Sequence, residues 1–128
     1  MFEDEARFGC MVEPRRAWAP PGVRPLVAAR LEREYGYAYA ALSPQDGALA
    51  SLVLPEVNAA LMSLFLAEVS RRYRDQFILL VRDGAGWHRA SDLVVPDNLR
   101  LQPLSPRSPE INRTEHLWEE LRGRAWPP

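Results

Sequence analysis

The feature that most constrains the fold is a run of five apolar residues, Phe77 to Val81, that is followed by Arg82 and Asp83. A short continuous apolar run is typical of a strand buried in the centre of a sheet. A carboxylate directly after such a strand lies at the edge where open α/β sheets bind their ligands. The run therefore predicts a buried central strand with Asp83 at its functional end, although Asp83 could also simply begin a turn with Gly84.

The N-terminal segment predicts a second strand that carries an acid. Its residues alternate with a period of two, which is the pattern of a strand. One set contains Phe2, Asp4, Ala6 and Phe8, and the other contains Glu3, Glu5, Arg7 and Gly9. Asp4 therefore shares a face with Phe2 and Phe8, whereas Glu5, the adjacent alternative, points to the opposite face.

The remaining segments alternate between strand and helix patterns. Strands are expected from Glu34 to Leu42, Leu49 to Leu54 and Leu99 to Leu104, with a turn at Ser43 to Gly47 that joins the first two. Asn58 predicts the cap of a helix that reaches about Tyr73, and a second helix is expected to start between Pro109 and Asn112 and to end by Gly123. A short helical or irregular stretch is expected from His88 to Leu93. This order predicts a single mixed α/β domain.

Size and composition restrict the class of protein further. A chain of 128 residues is long enough for one core but not for two. The lone Cys10 excludes an internal disulfide framework, and the acidic N-terminus does not resemble a signal peptide. We therefore expect a soluble, cytoplasmic protein with no membrane partner. A net charge of -1 argues against a dedicated DNA-binding module but not against an acidic catalytic domain.

A third acid, Glu115, lies where the last predicted helix begins, and a helix dipole favours a negative charge there. Glu110 and Glu119 lie about one turn before and after it, and helix physics alone does not separate the three. Carboxylates from two strands and a helix start could converge on one point. Such a group suits hard divalent cations, which commonly act on phosphates. The acids therefore predict a nucleic-acid phosphodiester enzyme.

Four phrases carry a family resemblance, and they occur in this order: Phe2 to Gly9, Trp18 to Pro20, Asp83 to His88 and Ser108 to Trp118. Together they resemble the catalytic domain of mariner-like bacterial insertion-sequence transposases, the DDE superfamily endonucleases. The resemblance covers nearly the whole chain. It implies a ribonuclease-H-like mixed sheet flanked by helices, shortened at both ends, with residues 1–128 forming the catalytic domain. The resemblance leads us to expect a domain without the family's upstream helix-turn-helix region.

The resemblance also implies a mechanism and its residues. Asp4, Asp83 and Glu115 would be both the catalytic residues and the ligands of Mg²⁺ or Mn²⁺. Asp4 and Asp83 would share one ion, and Glu115 with Asp4 would hold the other. The implied activity is cleavage of DNA at transposon ends and transfer of the 3′ hydroxyl to target DNA. The implied partners are transposon-end and target DNA, together with a second copy of the chain or a full-length transposase.

The chain also departs from the family pattern. Arg113 and Thr114 replace the usual Pro-Ile before Glu115, and Gly84 stands where Asn is more common. His88 could orient water or bind phosphate, or it could cap or pack. Trp118 is expected in the core. An alternative function follows from the short length, namely an inactive transposase remnant, or the second-frame half of a split transposase that acts only with a partner.

Overall fold

The structure is a computed structural model that describes residues 1–9, 20–22, 35–83, 92–104 and 112–124. Five strands and two helices follow each other along these segments. They are β1 (Phe2–Gly9), β2 (Tyr35–Leu42), β3 (Leu49–Leu54), α1 (Ala59–Arg72), β4 (Ile78–Arg82), β5 (Leu99–Pro103) and α2 (Arg113–Arg124). The predicted order of strands and helices is confirmed.

All five strands form one mixed sheet, in the order β3-β2-β1-β4-β5. The three strands that come first in the chain pair in an antiparallel manner, and β4 joins the other side of β1 in parallel. β5 continues the parallel part beside β4. β1 therefore lies at the centre of the sheet, where its antiparallel and parallel halves meet. This arrangement confirms the predicted mixed sheet flanked by helices.

Helix α1 covers one face of the sheet and forms the larger of the two core clusters together with the strand side chains of that face. Asn58 caps it by accepting a hydrogen bond from the Leu61 backbone N–H, as its sequence pattern predicts. Its buried side chains include Phe65, whose ring centroid lies 5.6 Å from that of Tyr39 on β2. The apolar side chains that α1 buries are Met62, Phe65, Leu66 and Val69. Burial of such large side chains stabilises the domain by about 1.5–3 kcal/mol each.

Helix α2 packs against β1 and β2 on the opposite face. Consecutive strand residues point to opposite faces. Accordingly Tyr39 belongs to the α1 core, while its neighbour Ala40 packs with Trp118 of α2 and Ala6 of β1. Trp118 is only 5% exposed, so its predicted place in the core is confirmed.

The apolar run around β4 differs from its prediction. Phe77 precedes the strand and is 70% exposed, and Leu79 within it is 48% exposed. Ile78 and Leu80 point toward α1 and are buried, but α2 packs on β1 and β2 rather than on β4. The prediction of burial on both faces was therefore wrong, although the strand does lie in the interior of the sheet, next to the central strand β1.

The start of α2 and the segment before β5 also differ from their predictions. Helix α2 begins at Arg113, one residue after the range predicted for its start, and ends at Arg124, one residue after its predicted end. Of the stretch predicted from His88 to Leu93, only the last two residues lie in the described part of the chain, and they are not helical. Neither helix of the described segments is long and apolar enough to cross a membrane.

Candidate active site

Asp4 lies on the central strand and on the face that α2 covers. It pairs in register with Ala40 of β2, whose small side chain leaves room beside the carboxylate. The Trp118 indole fills part of this space and donates a hydrogen bond from Nε1 to Asp4 Oδ2 over 3.0 Å. Asp4 is therefore half-buried and held by a defined contact.

Asp83 follows β4 directly and is exposed. The parallel pairing of β1 and β4 sets Phe2 opposite Val81. Continuing that register by two residues brings Asp83 level with Asp4, and paired residues of neighbouring strands point to the same face. The register thus explains why two acids so far apart in the chain act on each other.

Glu115 lies in the first turn of α2 and is exposed. The start of this helix is fastened to β1 by side chains next to Glu115. Thr114 Oγ1 donates to the Phe2 carbonyl over 2.8 Å, and Asn112 Nδ2 donates to the Glu3 carbonyl over 3.5 Å. Asn112 Oδ1 also accepts from the Thr114 backbone N–H at 3.1 Å, which caps the helix. These bonds set Glu115 close to the strand that carries Asp4.

Asp4 interacts electrostatically with each of the other two predicted acids. Burial raises the pKa of Asp4 to about 6, and the negative charges of Asp83 and Glu115 add to the rise. A backbone hydrogen bond from Glu5 and the bond from the Trp118 indole oppose it. Like charges raise a carboxyl pKa only when they lie near it. Asp83 and Glu115 therefore both lie close enough to Asp4 for their charges to affect its pKa.

A second acidic group lies on the opposite face of β1, beneath α1. Glu3 is 1% exposed, and burial followed by the charge of Glu5 raises its pKa well above the ordinary value. Burial likewise raises the pKa of Glu5 to about 8. The charges of both acids act on Arg82, the residue after Val81 in β4, although burial lowers the pKa of Arg82 overall. The period-two pattern correctly predicts that Glu5 faces away from Asp4.

Sequence reasoning missed the burial of this second group. The alternation of β1 separates Glu3 and Glu5 from Asp4, but charged residues ordinarily indicate an exposed face. One sequence feature could have indicated this burial: Arg82 ends the apolar run of a neighbouring strand, where its charge can offset those of buried acids.

Glu119, an alternative to Glu115, lies further along α2. The Glu119 side chain is 75% exposed and lies 3.4 Å from the ring of His116. The charge of Glu115 helps to raise the pKa of Asp4. Several other candidates lie outside the described residues, and they are Cys10, Trp18, Ala19, Gly84, His88 and Glu110.

The donor chemistry of Asp4, Asp83 and Glu115 suits a hard divalent cation, because all three offer carboxylate oxygens. A cation would also offset the repulsion that raises the pKa of Asp4. Yet within residues 1–9, 20–22, 35–83, 92–104 and 112–124, no group of three or more His, Cys, Asp or Glu side chains is placed to hold one ion. The acids are thus neighbours on one face but not a closed coordination shell, and their roles as ligands stay a prediction.

Solved structures with a similar fold share this architecture. A Mos1 transposase paired-end complex with left transposon end superposes with a TM-score of 0.67 at 19% identity, over 94% of this chain and 40% of that chain. The Mos1 strand transfer complex gives 0.69 at 21% identity, over 97% and 40%. A Mos1 mariner paired-end complex with Mn gives 0.68 at 20% identity, over 97% and 41%. The fold is therefore that of a transposase catalytic domain.

The chain belongs to the DDE superfamily endonuclease family, whose pattern it matches over residues 1–126. It is also similar to a protein of Sinorhizobium fredii (strain NBRC 101917 / NGR234) named "Uncharacterized protein y4pE/y4sA", with 42% identity over 89 residues. That match covers 69% of this chain and 66% of the relative. The chain thus spans less than two thirds of this relative and about two fifths of the Mos1 chains.

Proposed function

We propose that this chain is the catalytic domain of a transposase, which cuts DNA at transposon ends and joins the freed 3′ hydroxyl to target DNA. Residues 1–128 would form that domain, and DNA would be its principal partner. A second copy of the chain or a full-length transposase would be a further partner. Membership of the DDE endonuclease family makes this reaction class the first choice.

The observation that carries the proposal is that Asp83 and Glu115 both lie beside Asp4, Asp83 through the register of β4 with β1 and Glu115 through the bonds that tie the start of α2 to β1. These acids come from the N-terminal strand, the end of β4 and the start of α2, so only the fold brings them near one another. Repulsion between like charges is unfavourable to the folded state. A chain that keeps three acids in this arrangement is best explained by a cation that the acids attract.

The proposed roles follow from the positions of the three acids. Asp4 on the central strand would share one ion with Asp83 and the other with Glu115. When bound, Mg²⁺ or Mn²⁺ would lower the pKa of the attacking water or hydroxyl and stabilise the leaving oxygen. The protein itself fixes Asp4 through the β1 ladder and sets Glu115 through the Thr114 and Asn112 bonds.

The test is magnesium-dependent nicking of supercoiled plasmid by the unaltered chain and by Asp83→Asn. A ligand that stabilises the transition state by several kcal/mol is worth about 100-fold or more in rate, so the variant should lose nearly all nicking. Asp75→Asn is the matched control, because the Asp75 side chain is 91% exposed and lies beyond the end of α1. Equal nicking by the unaltered chain and Asp83→Asn would remove Asp83 from the mechanism.

A second candidate function is a non-catalytic domain that acts through a partner transposase. It is favoured by the spacing of the acids, which in the described segments do not form a group able to hold one ion. Titration of the folded protein with Mn²⁺ in a calorimeter separates the two. Heat of binding that disappears in Asp83→Asn supports the enzyme, whereas no binding by a protein with a cooperative thermal transition supports the partner-dependent domain.

A further inference from the structure

The contact between Trp118 and Asp4 joins two residues that are 114 positions apart in the chain. An indole N–H is a donor only, so it binds one carboxylate lone pair and adds no ligand of its own to a cation. A hydrogen bond to an ionised carboxylate is also stronger than one between neutral groups. The bond therefore restricts how Asp4 can turn without competing for the ion.

Packing fixes the direction of this N–H. The indole of Trp118 lies on the small side chains of Ala6 and Ala40. Its ring meets Phe8 edge-on, with centroids 5.9 Å apart and an interplanar angle of 70°. Because the ring is 5% exposed and held on several sides, its Nε1 points at Asp4 before any ligand arrives. Groups held in advance in this way are what a functional site requires.

Only one oxygen of Asp4 is taken by the indole. The indole bond ends on Oδ2 and does not occupy Oδ1. The carboxyl also accepts a hydrogen bond from the Glu5 backbone N–H, and a carboxylate has lone pairs enough for both donors and a further ligand. Trp118 also belongs to the helix that carries Glu115, three residues earlier and about one turn away. One helix thus supplies an acid and, one turn later, the donor that orients the central acid on β1.

We propose that Trp118 is a positioning residue, whose indole N–H holds Asp4 Oδ2 so that Oδ1 is presented to a divalent cation. This inference rests on the proposed function for the cation, but the hydrogen bond itself does not. In this role Trp118 acts through Asp4 and contributes no ligand of its own to the ion. Partners of this kind typically contribute 10- to 100-fold to metal affinity.

The first experiment needs no metal. The chain has four tryptophans, and Trp118→Phe identifies the Trp118 signal among the four indole N–H signals in a ¹⁵N–¹H spectrum. Asp4→Ala should move this signal upfield and speed its exchange with solvent, because the acceptor is gone. Glu115→Gln is the control and should leave the signal in place. A Trp118 signal that does not respond to Asp4→Ala would overturn the inference.

The second experiment measures Mn²⁺ affinity by calorimetry or by water-proton relaxation. Trp118→Phe keeps an aromatic ring but loses the donor, and it should weaken binding about 10- to 100-fold. Phe8→Leu is the matched control, since it disturbs the ring contact and leaves the indole bond. It should change affinity less than about 3-fold, which is a packing effect below 1 kcal/mol. Comparable losses in the two variants would show a packing role and overturn the inference.

A double-mutant cycle separates positioning from general damage. In the Asp4→Ala background, Trp118→Phe should have less than about a 2-fold effect on Mn²⁺ affinity, because Asp4 is the residue through which it acts. An equal loss in both backgrounds would overturn the positioning role. If the unaltered, folded chain binds no Mn²⁺, the proposed function fails and the presentation of Oδ1 to an ion fails with it. The indole signal would still decide independently whether Trp118 holds Asp4.

Discussion

Replacing Glu5 by Gln should stabilise the protein at pH 8 and leave its stability at pH 4.5 nearly unchanged. Glu5 lies on the α1 face of the central strand, and burial raises its pKa to about 8 from an ordinary value of 4.5. Its carboxyl is therefore neutral in the folded protein at pH 4.5 and becomes charged as the pH rises toward 8. Gln imitates the neutral form at every pH.

The sign of the effect follows from proton binding. Between pH 4.5 and pH 8 the folded protein holds a proton on Glu5 that the unfolded chain has released. Stability therefore falls as the pH rises through this range. A gap of about 3.5 pH units between folded and unfolded values corresponds to about 5 kcal/mol, at roughly 1.4 kcal/mol per unit. Glu3 shares the titration, so this is an upper limit, and we expect a gain of about 2–5 kcal/mol at pH 8.

The assay is urea unfolding followed by circular dichroism between pH 4.5 and pH 8.5, with a chelator present throughout. Glu119→Gln is the matched control, because it removes an acid whose side chain is 75% exposed. The control should stay within about 0.5 kcal/mol of the unaltered protein at each pH. A Glu5→Gln gain of equal size at pH 4.5 and pH 8 would show that packing, and not the ionisation of a buried Glu5 carboxyl, causes the gain.

Three further changes test the core, the end of α1 and the acidic face. Phe65→Ala should lower the free energy of unfolding in urea by about 3–5 kcal/mol, because a fully buried ring is removed from the core between α1 and the sheet. A loss below about 1 kcal/mol would contradict its core position. Asn98→Ala should cost about 1–3 kcal/mol, since its amide donates to three carbonyls at and beyond the end of α1; unchanged stability would show these bonds to be dispensable. Mg²⁺ should raise the thermal midpoint more at pH 8 than at pH 5, because Asp4 has a pKa of about 6, and Asp4→Asn should abolish the difference.

Most of the fold was predictable because its elements carry strong local patterns. The period-two alternation of β1, the turn that joins β2 and β3, and the Asn58 cap of α1 each act within a few residues. The extent of β4 was less predictable. Its apolar run does not reveal that α2 packs on β1 and β2, so the exposure of Phe77 and Leu79 depends on tertiary packing.

The candidate site was predictable as a set of residues but not as an arrangement. The resemblance selects Asp4, Asp83 and Glu115, and the register of β1 with β4 explains how two of them become neighbours. Their roles in catalysis and metal binding stay predictions. The indole bond of Trp118 was beyond sequence reasoning, because an aromatic residue on an apolar helix face indicates packing and says nothing about its N–H.

The acids on the two faces of β1 influence one another's pKa values, so a cation bound on one face should change the protonation of the acids on the other. The charges of Asp4 and Asp83 help to raise the pKa values of Glu3 and Glu5 on the other face. A cation beside Asp4 and Asp83 would offset those charges and lower both pKa values, so its binding would release protons from beneath the sheet. Linkage requires the reverse as well, since protonation of that pair must be coupled to weaker cation binding. The buried pair thus ties cation affinity to pH through residues that never touch the ion.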